Sequence, residues 1–204
     1  MLLSGTSLAT DLDTGSLLQK LARPAPESTS FVEVRYSSML TEPIVASGEL
    51  EHRTDGALVR RVISPYAETT VLAGETVLLE REGSKPRQFS LDRAPELRGM
   101  LASFGALLEG NREMIERHFS VTTTGNDAGW EMQLTPRDRK LKARIALIRV
   151  NGVEGNPRCF TMVEPDGDAS LMALGIQNRS ALPASLDRQS LQAWCTDRTK
   201  VVAK

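Results

Sequence analysis

Residues 68–81 read ETTVLAGETVLLER. Two runs rich in apolar and β-branched residues flank Ala73-Gly74, and this pattern predicts a β-hairpin with Val77 and Leu79 on one face of its second strand. Because an isolated two-stranded hairpin is at best marginally stable in water, the chain must supply further strands. The stretch therefore predicts a larger antiparallel sheet.

The sequence on both sides of this hairpin extends the same pattern. Upstream, period-two alternation predicts strands over residues 31–36, 48–53 and 57–63; downstream, it predicts strands around 89–91, 130–134, 143–150, 160–162 and 170–174. Apolar spacing of three and four predicts a first helix over residues 12–21, a helical insertion over about 95–119, and a C-terminal helix over about 185–197 with Ser185 as its N-cap.

The predicted order is helix, about five strands, a helical pair, about four strands and a helix. Sequential strands with short turns indicate an α+β fold in which a long antiparallel sheet curls and the helices cover it. Such a sheet can enclose an apolar space that binds apolar ligands. Alternatively, the helices fill that space and leave an ordinary core.

Composition limits the function classes. The 204 residues carry 25 Lys+Arg and 26 Asp+Glu, a net charge of −1, so no basic footprint for bulk nucleic-acid binding is present. Two cysteines are too few for a disulfide scaffold, and no window predicts a membrane span. We expect one domain over residues 10–204. Residues 1–9 are interpreted as a signal-peptide remnant or a disordered start.

No enzymatic motif is found in the sequence. The metalloprotease, P-loop, dinucleotide-binding and serine-hydrolase signatures are absent, and His52 and His118 are the only histidines. Cys159 and Cys195 have no neighbouring base in sequence; in an oxidising compartment they could pair, and in a reducing one they are buried thiols. We therefore predict no catalytic residue, no metal site and no cofactor.

A basic segment lies in PRDRKLKAR, residues 136–144. Such a run is usually a solvated turn, and its functional interpretation is a dock for an acidic partner protein or for anionic lipid headgroups. The predicted partner-docking residues are Arg137, Arg139, Lys140, Lys142 and Arg144.

Several strings, in their order and spacing, resemble the LolA family of periplasmic carriers for bacterial outer-membrane lipoproteins. The resemblance covers most of residues 12–175. The strings are SFVEVRYSS at 30–38, Gly48-Glu49-Leu50, Ser64-Pro65, TTVLAGETVLLER at 69–81, the helical insertion from Pro95, Leu134-Thr135-Pro136, and FTMVE at 160–164 before an acidic turn.

The resemblance implies an incomplete, half-open β-barrel whose lid helices cover an apolar cavity. It further implies a soluble periplasmic carrier that takes lipidated cargo from an inner-membrane donor towards an outer-membrane acceptor, with only transient membrane contact. The cargo would be lipoprotein acyl chains or, in a divergent branch, a polyketide or glycolipid. A monomer is expected, since the mouth must stay open to partners. The alternative is a lipid-sensing or assembly module that binds a partner protein without transporting cargo.

With that fold, the apolar faces of the predicted strands and helices become the expected ligand site. The expected cavity residues are Val32, Val34, Tyr36, Leu50, Val77, Leu79, Trp130, Met132 and Leu134. The expected lid residues are Leu97, Met100, Leu101, Phe104 and Leu108.

Overall fold

A computed structural model describes residues 13–93, 105 and 109–197. Its strands are β1 Glu27–Tyr36, β2 Ile44–His52, β3 Leu58–Ser64, β4 Glu68–Ala73, β5 Thr76–Arg81, β6 Arg87–Ser90, β7 Phe119–Asn126, β8 Gly129–Pro136, β9 Leu147–Val153, β10 Asn156–Val163 and β11 Ala169–Leu174. Its helices are α1 Thr14–Leu21, α2 Arg112–His118, α3 Arg139–Lys142 and α4 Arg188–Thr196, with 3₁₀ turns at Leu91–Arg93 and Arg179–Ala181.

All eleven strands form one antiparallel sheet in the order β6-β5-β4-β3-β2-β1-β11-β10-β9-β8-β7. The two edge strands, β6 and β7, do not pair, so the sheet is open. Consecutive strands are neighbours except β6 and β7, and the two halves of the sheet join where β1 pairs with β11 at the centre. The α+β class and the open antiparallel sheet expected from the sequence are confirmed.

Side-chain carboxylates and amides start the helices. Asp13, Asn111 and Asp187 precede α1, α2 and α4, and each side-chain oxygen accepts a backbone N–H three residues along the chain, at 2.8, 3.0 and 2.8 Å. The prediction of Ser185 as the last N-cap is wrong, because Asp187 holds that position. The Ser185 hydroxyl instead donates to the Asp187 carboxylate at 2.5 Å.

Cross-strand register gives the sheet two faces, because directly opposed residues point to the same side. The inner face carries Phe31 of β1, and α1 and α2 pack against it through Leu17 and Ile115. The outer face carries Val32 and Val34, and α4 packs there.

A disulfide between Cys159 of β10 and Cys195 fixes α4 to the outer face, with the two Cα atoms 5.8 Å apart. The sequence left open whether these cysteines pair, and the structure pairs them. Arg158 strengthens the same attachment: its guanidinium lies 5.2 Å from the Trp194 ring centroid and donates to the carbonyl of Asp197. Burial lowers the pKa of Arg158.

Two sequence predictions need correction. The basic segment was expected to lead into a strand from residue 143, but residues 139–142 form α3 and β9 begins only at Leu147. Asp138 explains the difference, because its carboxylate caps α3 through the backbone N–H groups of Lys140 and Leu141. About five and about four strands were expected, and the described residues contain six and five; β7 is the strand that was not predicted.

Candidate functional site

The structure does not bring the nine expected cavity residues onto one face. Val32, Val34 and Tyr36 lie on the outer face, where they pack beneath α4. The other six lie on the inner face: Leu50, Val77, Leu79, Trp130, Met132 and Leu134. The single-face grouping is therefore corrected, because β1 is a central strand covered on both sides and alternation alone does not say which side faces the cavity.

Half of the inner face is filled by helices. Trp130, Met132 and Leu134 of β8 are buried in one cluster with the leucines of α1. The Trp130 indole donates to the carbonyl of Glu154 at 2.7 Å and lies against Gly152, where an added Cβ would come within 2.2 Å of the ring. These three side chains act as packed core in the described structure.

The other half, formed by β3 to β6, carries a separate apolar cluster. Its members are Leu58, Leu72, Val77, Phe89 and Leu91. Register places them in one row across the four strands, followed by the 3₁₀ turn. We call this cluster the apolar strip.

The apolar strip lies next to a described residue of the segment predicted to be the lid. Gly105 belongs to that segment, and a Cβ added to it would lie 3.3 Å from Leu58 Cδ1. Leu79, one row away from the strip, is half-buried. The predicted lid residues Leu97, Met100, Leu101, Phe104 and Leu108 lie outside the described residues.

A charged cluster borders the apolar strip on the inner face. Arg60 of β3 pairs with Glu33 of β1 and lies 3.9 Å from Glu68 of β4, with exposed side-chain fractions of 16%, 12% and 10%. Glu68 also accepts from Arg81 Nε of β5 at 2.8 Å. The Arg60 guanidinium stacks 5.1 Å from the Phe31 ring centroid, so it covers the aromatic face while neutralising two partly buried carboxylates.

Gly48 lies close to the β3 backbone beside this cluster. It lies on β2 between Phe31 and Val62, where the register shifts, and an added Cβ would come within 1.8 Å of the Arg61 carbonyl oxygen. Sequence reasoning did not single out Glu33 or Arg60 as site residues. The available signal was that Glu33 shares its strand face with Phe31.

The basic segment forms an exposed surface. Leu141 and Ile145 are buried and anchor it, whereas its five basic side chains are exposed. Backbone N–H groups of Leu141 and Lys140 hold the pKa of Asp138 below its usual range. Among the described residues, no carboxylate forms a salt bridge with these five, which are Arg137, Arg139, Lys140, Lys142 and Arg144.

A family model described as "Outer membrane lipoprotein carrier protein LolA-like" matches residues 6–198. The chain belongs to this LolA-like family. The resemblance inferred from the sequence strings is thus confirmed. No curated protein sequence matches the chain.

Solved structures with a similar fold include a LolA superfamily protein from Nitrosomonas europaea, at 12% identity and a TM-score of 0.45, with 88% of this chain and 97% of that chain covered. The MucA/MucB complex of Pseudomonas aeruginosa matches at 15% identity and a TM-score of 0.42, with 85% of this chain and 59% of that chain covered. LprF from Mycobacterium bovis matches at 11% identity and a TM-score of 0.37, with 90% of this chain and 100% of that chain covered. These similarities concern the fold.

In this LolA-like chain, two open surface cavities of about 500 and 430 Å³ lie along β1 to β5. The larger one is lined mainly by charged side chains, including Glu49, Glu51, Arg53 and Arg61, so it does not suit an acyl chain. No group of His, Cys, Asp or Glu among residues 13–93, 105 and 109–197 could hold a metal ion. None of the helices described there is long and apolar enough to cross a membrane.

Proposed function

We propose that the protein is a non-enzymatic periplasmic carrier of lipid-like cargo, which it holds against the apolar strip on β3 to β6. The observation that carries this proposal is the division of the inner face. The helices α1 and α2 fill the half around β8, while the apolar strip forms a separate cluster beneath Gly105. Hydrocarbon held against the strip would leave the main core in place.

The energetics favour a carrier that needs no chemistry. Each methylene group removed from water contributes about 0.8 kcal/mol, so about ten methylenes on the apolar strip contribute roughly 8 kcal/mol, which is within the range of the cost of lost ligand freedom. Lipoprotein acyl chains, a polyketide and a glycolipid all offer such hydrocarbon. The charged cluster of Glu33, Arg60, Glu68 and Arg81 bounds the strip on one side. Hydrocarbon is therefore expected to lie along the strip itself, in contact with Leu58 and Val77.

A matched pair of variants on β5 tests the proposal. Leu78 and Leu79 are adjacent and both half-buried, but Leu79 faces inward and Leu78 faces outward. We expect Leu79→Glu to weaken the binding of a fluorescent fatty-acyl probe at least tenfold, because the carboxylate would face the hydrocarbon. Leu78→Glu should retain affinity, and thermal melting verifies that both variants fold.

Two results would contradict the carrier proposal. One is a wild-type protein that takes up no acyl probe and releases no small molecule under denaturing mass spectrometry after isolation from its own cell envelope. The other is an equal loss of probe binding in Leu78→Glu and Leu79→Glu, which would indicate a general stability effect. A co-purified acylated or polyene species would identify the cargo class.

The second candidate is an assembly or sensing module that binds a partner protein and transports nothing. It is favoured by the basic segment, whose side chains are exposed and form no salt bridge with described residues. For this function, charge reversal at Lys140 and Lys142 should abolish partner capture and leave lipid uptake intact. If both activities survive, the basic segment is a solvated turn.

A further inference from the structure

The large apolar side chains exposed in the described part of the chain share one location. Met39 is 90% exposed and Ile63 is 62% exposed. The full set is Met39, Leu40, Ile44, Ile63 and Tyr66. Burial in the fold does not account for them, so their common location requires an explanation.

Strand direction places all five at one end of the sheet. β1 runs to this end and β2 leaves it, so residues 37–43 form the connection there. β3 runs to the same end and β4 leaves it, which places residues 65–67 beside the first connection. We call these two neighbouring connections the apolar hairpins.

The first apolar hairpin is held in place by hydrogen bonds. The Ser38 backbone N–H donates to Asp168 Oδ1 at 2.8 Å, and the Leu40 N–H donates to the Ser37 carbonyl at 3.0 Å. Serine hydrogen bonds hold the pKa of Asp168 below its usual range. The turn therefore presents Met39 to solvent in a fixed geometry.

The second apolar hairpin is also ordered by a side-chain contact. The Arg81 guanidinium lies 4.7 Å from the Tyr66 ring centroid. Tyr66 is 43% exposed, with the cation against its ring. An aromatic ring beside a cation is well suited to the headgroup level of a membrane.

The basic segment lies at this same end. β8 ends at Pro136 and β9 begins at Leu147, so residues 137–146 connect strands at the end that carries the apolar hairpins. β9 is four strands from β2 in the sheet order. At about 4.8 Å per strand, the two features are roughly 19 Å apart along the sheet.

We propose that this end of the molecule docks onto the surface of an anionic phospholipid bilayer. The apolar hairpins insert into the interface, while the basic segment contacts the headgroups. Apolar anchors combined with lysine and arginine in one plane are what an anionic membrane surface binds. A bilayer is favoured over a protein because the apolar side chains project from narrow turns and need no shaped counterpart.

The acidic turn between β10 and β11 lies between the two features. Asp168 accepts the Ser38 N–H, and Asp166 accepts the Asp168 N–H at 3.0 Å, so both carboxylates have local structural partners. The negative charge of this turn repels an anionic bilayer, so the bilayer is attracted only by the apolar hairpins and the basic segment on either side of it. The docking therefore needs both anchors, and removal of either one should weaken it.

Vesicle co-sedimentation tests the proposal with the full chain. Vesicles of phosphatidylcholine with 30% phosphatidylglycerol should bind the protein, and pure phosphatidylcholine should bind it much less. Each basic residue near an anionic surface contributes about fivefold in partitioning, so K140Q/K142Q should weaken binding about 25-fold. M39S/L40S should weaken it about tenfold because two apolar anchors are lost.

The matched control is K20Q/R53Q, which removes two charges at the opposite end. Lys20 contacts Asp127 in the β7–β8 turn, and Arg53 follows β2. This control should bind vesicles like wild type. Absence of anionic-vesicle binding, equal weakening in the control, or full binding by M39S/L40S would overturn membrane docking. The same variants should retain acyl-probe binding, so failure of this proposal is distinguishable from failure of the carrier function.

Discussion

The disulfide between Cys159 and Cys195 should supply a large share of the stability of the fold. Reduction of the otherwise unchanged protein keeps both sulfur atoms in place and removes only the cross-link. The two cysteines are 36 residues apart in sequence. A loop of that size restricts the unfolded chain by about 4 kcal/mol in the chain-entropy model.

The expected consequence is measurable by two methods. For a chain of 204 residues, a loss of about 4 kcal/mol lowers Tm by about 10 °C. Urea unfolding should show the same loss in the free energy of unfolding, together with a larger m-value, because the uncrosslinked unfolded chain exposes more surface.

The C159A/C195A variant separates the cross-link from packing. Both cysteines are buried, at 0% and 2% exposure, so alanine also removes packed sulfur and should be slightly less stable than the reduced wild type. The reasoning would be refuted if the oxidised and reduced proteins unfolded within about 1 kcal/mol of each other. It would also fail if thiol titration of unreduced protein found two free thiols.

Two further predictions concern single side chains. Arg60→Leu leaves Glu33 without its guanidinium and should lower the free energy of unfolding in urea by about 3 kcal/mol. Arg61→Leu breaks the exposed pair with Glu49 on the other face and should lower it by less than about 1 kcal/mol. Equal losses in the two variants would contradict the role assigned to the charged cluster. Burial raises the pKa of Tyr36 from 10.0 to about 12; the charge of Asp187 adds to this shift and the charge of Arg188 opposes it. The stability contributed by the neutral phenol is therefore complete below pH 10 and is lost as the pH rises through 12. The free energy of unfolding, measured from pH 8 to 12.5, should show this alkaline decline in the wild type and lack it in Tyr36→Phe.

The sequence predicted the sheet well because period-two alternation and tight turns are local signals. The hairpin at residues 68–81 appears as β4 and β5 with the turn at Ala73-Gly74. β7 was missed because its sequence, FSVTTTGN, is mostly polar and shows few apolar alternations. Polar side chains are tolerated there because β7 is an edge strand.

The candidate site was harder to predict because it depends on which face each strand turns inward. Val32 and Phe31 are both fully buried, so alternation on β1 could not distinguish the α4 side from the cavity side. The pairing of Glu33 with Arg60 depends on the register of three strands, which is information that no single strand carries. The residues of the candidate site could therefore be assigned only once the arrangement of the strands was known.

The pairing of β1 with β11 has a consequence for biogenesis. Phe31 lies opposite Leu174, so the central ladder of the sheet joins residues 143 positions apart. β1 therefore cannot complete its hydrogen bonds until most of the chain has been synthesised, and closing such a long loop makes folding slow. A nascent chain of this kind keeps one edge of β1 unpaired for longer than a sheet built only from neighbouring hairpins would, and an unpaired strand edge is open to pairing with other chains.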